Sequence, residues 1–325
     1  MGFSHPTFSI RRKKMDITTL IDSLPGAVSQ GLIWGIMAIG VYITFRILDI
    51  ADLSVDGTMC TGAAVCVIVT QKTNNIVLAI LIATIAGLLI GLVTGILHTF
   101  MGIPAILAGI LTQLALWSVN LKIMGKANQV LNVDKYNLLV SMRYLADEII
   151  FKHPIVVVGI FTIVVIAILY WFFGTELGSS LRATGCNESM ARAQGINTNM
   201  NKVLGLMISN GLVALSSALL GQYQGFADIN MGKGAIVIGL AAVIIGEAIF
   251  GRFFKNFALK LLAVAFGAII YYLVIQVVLW FGIDADLLKI LSAIVVAIFL
   301  AIPFWKRKYF TKAKKPSVAD SQEVK

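Results

Sequence analysis

A chain of 325 residues with 58% hydrophobic and only 13% charged side chains carries more apolar surface than one aqueous core can hide, and a mean hydropathy of +0.90 excludes an ordinary soluble domain. The formal charge of +10 would point to nucleic acid in a soluble protein. Here Lys and Arg gather at the ends of apolar runs and in the C-terminal tail, so a lipid bilayer is the expected partner and nucleic acid is not.

Taken in chain order, residues 1–23 read as an N-terminal extension. MGFSHPTFSIRRKK lacks the apolar core and small-residue cleavage site of a signal peptide, and Met15 is an alternative start. Apolar runs near 24–45, 76–100, 104–123, 154–173, 203–223, 257–281 and 286–305 follow. Each suits a helix of about 20 residues crossing a hydrocarbon layer of roughly 30 Å. Two more segments, near 51–70 and 234–250, are shorter, open on polar, Gly-rich sequence and read as broken or re-entrant spans. The expectation is an all-α polytopic membrane protein of about 8–9 spans. Cys60, Cys66 and Cys186, like His5, His98 and His153, are scattered without disulfide or metal-ligand spacing, so no metal or cofactor is expected.

An internal duplication organises these spans. SQGL at 29–32 returns as SNGL at 209–212, Gly87 corresponds to Gly267, and GIPAILAGIL from Gly102 corresponds to GIDADLLKIL from Gly282, all 180 residues apart. Repeat 1 (24–123) and repeat 2 (203–305) each hold a helix, a broken segment, a long helix and a closing helix; a linking span at 154–173 lies between them. One extra pass makes the second repeat run through the membrane in the opposite sense. Inverted repeats of this kind belong to transporters, whose substrate path lies at the repeat interface and is lined by interrupted helices.

Positive charge orients the chain. The loop 175–202 carries Arg182, Arg192 and Lys202, the loop after 250 carries Arg252, Lys255 and Lys260, and the tail 306–325 carries six Lys and Arg between Lys306 and Lys315. All three fall on one side by span count and should be cytoplasmic. The segment 124–153 is then extracytoplasmic and reads as a surface amphipathic element. RRKK at 11–14 lies on the wrong side in this scheme, which favours Met15 as the start.

Polar residues inside the apolar segments are the candidates for function. Asp49, Asp52 and Asp56 in RILDIADLSVDGTMCTG have the i, i+3, i+7 spacing of one helical face. A central aspartate costs roughly 2.5 to 3.5 kcal/mol on insertion scales, so these three must face protein, water or the membrane boundary. Asp49 suits a helix end, while Asp52, Asp56 and Thr58 suit a polar break lining the path. The corresponding stretch of repeat 2, GQYQGFADINMGKGA, offers Gln222, Asp228 and Asn230, with Gln224 beside them and Lys233 as a possible counter-charge. Gln113 and Asn120 in the span 104–123 suit either the path or interhelical hydrogen bonding. GTELGSSLRATGCNESMARAQGINTNMNK reads as a short helix, a Gly turn with Asn187 as a cap, a second helix and a terminating Gly195. It suits docking to a protein better than chemistry, and no catalytic pair occurs in the chain.

DLSVDG with its following small-residue helix, together with LRATGCNESMARAQGIN, resembles the permease subunits of ABC importers for ribose-type sugars and branched-chain amino acids. The resemblance covers residues 24–305, and the chain is most similar to permeases assigned to tryptophan and tyrosine import. It departs from the sugar permeases in lacking their additional first helix and in having Asp56 where they tend to have Gly. The resemblance implies a permease in the inner or plasma membrane, paired with a second permease subunit as a homodimer, with two cytoplasmic ATP-binding subunits and an extracytoplasmic solute-binding protein. It implies coupling residues Leu181, Arg182, Gly185, Asn187, Ala191, Arg192 and Gly195. No G-x-x-x-x-G-K-[ST] loop occurs, since NMGKGA at 230–235 lacks its first Gly and its Ser/Thr, so ATP hydrolysis is expected on a partner and the chain is not itself an enzyme. The expected solute is a small organic molecule, an amino acid being favoured. The alternative is an ion-coupled secondary transporter using Asp52, Asp56 and Asp228.

Overall fold

The structure is a computed structural model that describes residues 17–145, 153–281 and 287–305. Helix α1 (Ile17–Tyr42) continues through a π-helical stretch, Ile43–Ile47, as a first span of 31 residues. There follow α2 (Val55–Thr73), α3 (Ile76–Thr99) and α4 (Ala105–Met124), then α5 (Pro154–Gly174), the short α6 (Glu176–Cys186) and α7 (Glu188–Ala193), and finally α8 (Thr198–Gln224), α9 (Ala235–Phe250), α10 (Phe257–Trp280) and α11 (Leu288–Trp305). Among the described residues six helices are long and apolar enough to cross a membrane, and α9 is a shorter apolar one. With α2 and α11 they form the expected order of four, one and four, so the chain is an all-α polytopic membrane protein. Helix α1 starts at Ile17, inside the expected extension. Its first turns hold Thr18, Thr19 and Asp22 and are largely exposed, so no apolar signal marked them.

Local sequence sets the corners. Asn74 adopts a left-handed φ of 55° and its N–H closes α2 on Thr70, while the Asn75 side chain accepts the N–H of Leu78 and caps α3. Two adjacent asparagines thus end one helix and start the next. Along α3, Gly87, Gly91 and Gly95 face α8 so closely that a Cβ would strike the carbonyls of Asn210 and Leu206 and the backbone of Val203. A small-residue stripe at i, i+4, i+8 lets two helices touch along their backbones, the packing available where lipid removes the hydrophobic drive.

The repeat is visible in the packing. Helix α1 lies along α10 as α8 lies along α3. Gly31 meets the backbone of Ile269, and its counterpart Gly211 meets Leu88, one residue from the counterpart of Ile269. Helices α2 and α9 run away from each other. Helix α2 ends beside β1 (Asn128–Val130), where Gln71 Nε2 donates to the Val130 carbonyl. Helix α9 ends where Glu247 meets Arg46 at the close of the first span, 3.0 Å apart. Strand β1 pairs antiparallel with β2 (Phe226–Asp228), Asn128 opposite Asp228, which ties the segment after α4 to the break before α9. That segment packs inward rather than standing off in solvent, with Leu131, Leu138 and Val140 buried in the core shared by α1, α2 and α8.

Candidate translocation site at the paired helix breaks

The three aspartates share no helical face, because residues 48–54 are not helical. The π-helical turn ends with Leu48 N–H on the Ile43 carbonyl and Ile50 N–H on that of Thr44, and Asp49 sits exposed beyond it in a left-handed conformation, φ 57°. Asp52 turns inward and is 2% exposed. Its Oδ1 accepts the Ser54 N–H at 2.9 Å and the Ser54 hydroxyl at 2.6 Å, and its Oδ2 accepts Asn210 Nδ2 at 2.7 Å. Asn210 Oδ1 in turn accepts the Thr58 hydroxyl at 2.6 Å. Asp52, Ser54, Thr58 and Asn210 therefore form a buried network between the start of α2 and the middle of α8, in which Asp52 and Thr58 are turned toward other side chains. The hydrogen bonds replace the water these groups would otherwise need.

Asp56 points across to the second break. Its Oδ2 accepts the Gly234 N–H at 2.9 Å and its Oδ1 the Ile236 N–H at 3.0 Å. The N-cap residue of α9, Gly234, has no side chain of its own for this purpose and takes φ 87°. Asp56 therefore caps α9 from another helix, meeting orphan N–H groups and the positive end of the helix dipole with one carboxylate. Gly232 is required beside it, since a Cβ there would collide with the Asp56 carbonyl.

Around this contact α2 and α4 enclose a chamber of about 40 Å³ lined by Asp56, Cys60, Gln113, Trp117, Asn120 and Lys233, together with Gly57 and Ile229. Asn120 is 1% exposed; its Nδ2 donates to the Gly57 carbonyl at 3.3 Å, and its Oδ1 has no hydrogen-bond partner. Lys233 Nζ lies 5.1 Å from the centroid of Trp117. Lys233 forms no ion pair with Asp228 among the described residues, and it also borders a cavity of about 460 Å³ beside Gln30, Tyr271, Tyr272 and Gln276.

The other path candidates lie elsewhere. Gln222 is buried; its Nε2 donates to Cys66 Sγ at 3.5 Å and its Oε1 accepts the Leu139 N–H at 3.3 Å. Asp228 belongs to β2 and accepts the N–H of the exposed Asn230 at 2.7 Å; neither is a lining residue of the chamber, although the adjacent Ile229 is. Only Asp56 and Gln113 of the seven line the chamber at the meeting of the two breaks. Sequence reasoning did not single out Asn210, although SNGL was the best-marked element of the duplication and an asparagine in the middle of an apolar helix is itself a signal.

At the opposite end of the bundle from the β1–β2 pair, α6 and α7 form the expected compact element. Thr175 caps α6, the Asn187 side chain caps α7 through the Met190 N–H at 3.0 Å, and Gly195 ends the unit at φ 80°. Gly185 is not a turn residue: it lies in the last turn of α6, pressed on the Ile47 carbonyl where any Cβ would collide. Leu181 and Ala191 are buried, and Arg182 donates to the Phe173 carbonyl at 2.9 Å. Arg192 and Lys202 both reach Glu188 at 2.8 Å, and Thr198 bonds the same carboxylate. Hydrogen bonding from Lys202, offset in part by desolvation, leaves the Glu188 carboxyl below its ordinary range. Most of the expected coupling residues therefore hold α6 and α7 to the bundle, and the outer surface is mixed: Leu177, Met190 and, at the start of α8, Met200 are each about 60% exposed among polar residues such as Glu176, Ser189 and Gln194.

The chain is 42% identical over 276 residues to the tyrosine transport system permease protein of Clostridioides difficile, covering 84% of this chain and 89% of that one. It is 38% identical over 277 residues to an uncharacterized protein of Rickettsia prowazekii, covering 85% and 95%. More distantly, it is 25% identical over 233 residues to the autoinducer 2 import system permease LsrC of Salmonella typhimurium, covering 70% and 63%. No solved structure matches it. The family model for permease components of branched-chain amino acid transport systems matches residues 24–302, and the chain belongs to that family.

Proposed function

We propose that the chain is the membrane permease of an ATP-driven importer, works as a homodimer in the inner or plasma membrane, and moves an amino acid inward along the repeat interface. The observation that carries this reading is the meeting of α2 and α9, N-terminus to N-terminus, at Asp56. Two half-helices that diverge from one polar contact can change their mutual angle without breaking a long helix, which suits alternating access. The basic loops favour a cytoplasmic side for α6 and α7 and an extracytoplasmic one for the β1–β2 pair. In this frame two ATP-binding subunits dock on α6 and α7 around the exposed Leu177 and Met190, and a solute-binding protein docks at the end that carries the β1–β2 pair. Gly185 against Ile47 and Arg182 on Phe173 make α6 rigid with the ends of the first and linking spans, so a push on α6 is passed to the start of the first break. The name of the 42% identical relative favours an amino acid over the autoinducer 2 of the 25% identical one.

The test is co-purification of the full chain with an ATP-binding subunit from its host membrane. Leu177→Glu and Met190→Glu, both on exposed positions, should release that subunit while leaving the permease folded. Unchanged assembly in both variants would count against α6–α7 as the docking element. Uptake that persists without ATP and collapses with the sodium or proton gradient would replace this reading with an ion-coupled transporter.

A further inference from the structure

The chamber between α2 and α4 is bordered by acceptors that no donor among the described residues meets. Asn120, on its wall, has a buried Oδ1 with no hydrogen-bond partner among the described residues. The Gln113 side chain, half-buried on its wall, makes no hydrogen bond among the described residues. The Asp56 carboxylate has backbone N–H partners and no ion pair there. Asn120 Nδ2 donates to the Gly57 carbonyl, so Asn120 Oδ1, Gln113 Oε1 and the remaining lone pairs of Asp56 are acceptors open to an arriving donor, beside the unused N–H donors of Gln113 and of the Lys233 ammonium. The chamber's cationic neighbour, Lys233, stands over the face of Trp117. That face and the carboxylate both favour positive charge.

We propose that this chamber is the subsite for the primary ammonium group of the transported solute, a proposal that rests on the importer reading above. A volume of about 40 Å³ admits one water-sized group, which an ammonium is and a carboxylate-bearing skeleton is not. The three N–H donors of a primary ammonium match Asn120 Oδ1, Gln113 Oε1 and the Asp56 carboxylate, while its carbon skeleton lies along Trp117. Lys233 serves as a resident stand-in: its own ammonium holds the ring face, and an arriving solute displaces it. The side chain is exposed and long enough to swing away, and its charge is then available to the carboxylate of the same solute. The ligand class is a solute with an unhindered primary amine.

The experiment is equilibrium binding of radiolabelled methylammonium to the purified full chain in lipid nanodiscs, at ionic strength held constant with choline chloride. One saturable site per chain is expected. Asn120→Leu should weaken it at least tenfold, Gln113→Leu should weaken it in the same direction without relying on a buried position, and Lys233→Gln should tighten it several-fold by removing the resident cation. Tetramethylammonium, bulkier and without N–H donors, should not compete. No saturable binding, binding indifferent to both Asn120→Leu and Gln113→Leu, or displacement by sodium at equal concentration would each overturn the proposal, the last by making the chamber an alkali-cation site. Loss of ATP-subunit co-purification with methylammonium binding intact would instead remove the importer reading and leave the ammonium site standing.

Discussion

Replacing Asp56 with Ala removes both acceptors at the start of α9, and the structure fixes how much that should cost. An N-cap side chain is worth about 1 kcal/mol within a range of roughly 0.5 to 2. A carboxylate at a helix N-terminus adds about 0.3 to 1 kcal/mol, with partial burial moving it upward. Here one residue does both for two N–H groups, at 2.9 and 3.0 Å, and Gly234 supplies no substitute. A local cost of about 2 to 3 kcal/mol follows, and at about 1.4 kcal/mol per factor of ten this corresponds to roughly 30- to 140-fold in an opening equilibrium. Amide hydrogen exchange measured by mass spectrometry on the nanodisc-embedded protein reads that equilibrium at Gly234 and Ile236. Asp56→Ala should raise exchange there by one to two orders of magnitude while the amides of α6 are unchanged. Asp56→Asn, which keeps one acceptor, should fall between. An increase below about threefold at residues 234–236, or an equal one in α6, would refute the idea that Asp56 anchors the second break.

Three further outcomes follow from the same geometry. Asp52→Ala and Asn210→Ala should be non-additive in unfolding stability, with a coupling of about 1 to 2 kcal/mol because Asn210 is the donor on Asp52 Oδ2; strictly additive losses would deny the network. Gly185→Ala should cost about 1 to 3 kcal/mol by forcing α6 off Ile47, whereas Gly174→Ala, with open space around its Cβ, should change the melting temperature little. Because the Glu188 carboxyl is held below its ordinary range, its contribution to docking α7 is complete above that range, about 4.3, and is lost as pH falls through and below it. Exchange protection of α7 should therefore drop in acid, and Glu188→Gln should abolish that step.

What the sequence disclosed and what it hid divide along a physical line. Span positions were legible because apolar runs answer mainly to one effect, removal from water, and the bounds of α3, α4, α5 and α10 lie within about two residues of the hydropathy reading. The α6–α7 unit was legible because Thr175, Asn187 and Gly195 are local signals that act within a few residues. The fate of the aspartates was not, since it depends on partners 158 and 178 to 180 residues away. A helical period drawn through Asp49, Asp52 and Asp56 assumed a helix that the π-turn at Ile43–Ile47 and the left-handed Asp49 interrupt. Gly185 was legible as a glycine but not as a contact, because a helix interior and a turn look alike until the carbonyl of Ile47 is placed against it.

The duplication also explains why the two breaks differ in charge. Counting 180 residues on, Asp56 corresponds to Ile236, and these two counterparts touch, Ile236 donating its N–H to Asp56. Positions related by the repeat and in direct contact lie on its pseudo-two-fold axis. A carboxylate at both would bring two like charges near one another, and at a separation of about 4 Å such a pair repels by roughly 1 kcal/mol in water and about 4 near a protein surface. One axial carboxylate is therefore the stable number. The first half-helix still needs its own anion, and the same counting finds it: Ser54 corresponds to Gly234, and the Ser54 N–H is taken by Asp52 as the Gly234 N–H is taken by Asp56. Each half-helix thus has its leading amide on a carboxylate, one supplied from within its own break and one from across the axis. Both carboxylates reach the other repeat, Asp52 through Asn210 of α8 and Asp56 through Gly234 and Ile236, so movement of repeat 1 against repeat 2 strains both sets of contacts and leaves intact only the bonds Asp52 makes to Ser54 within its own break.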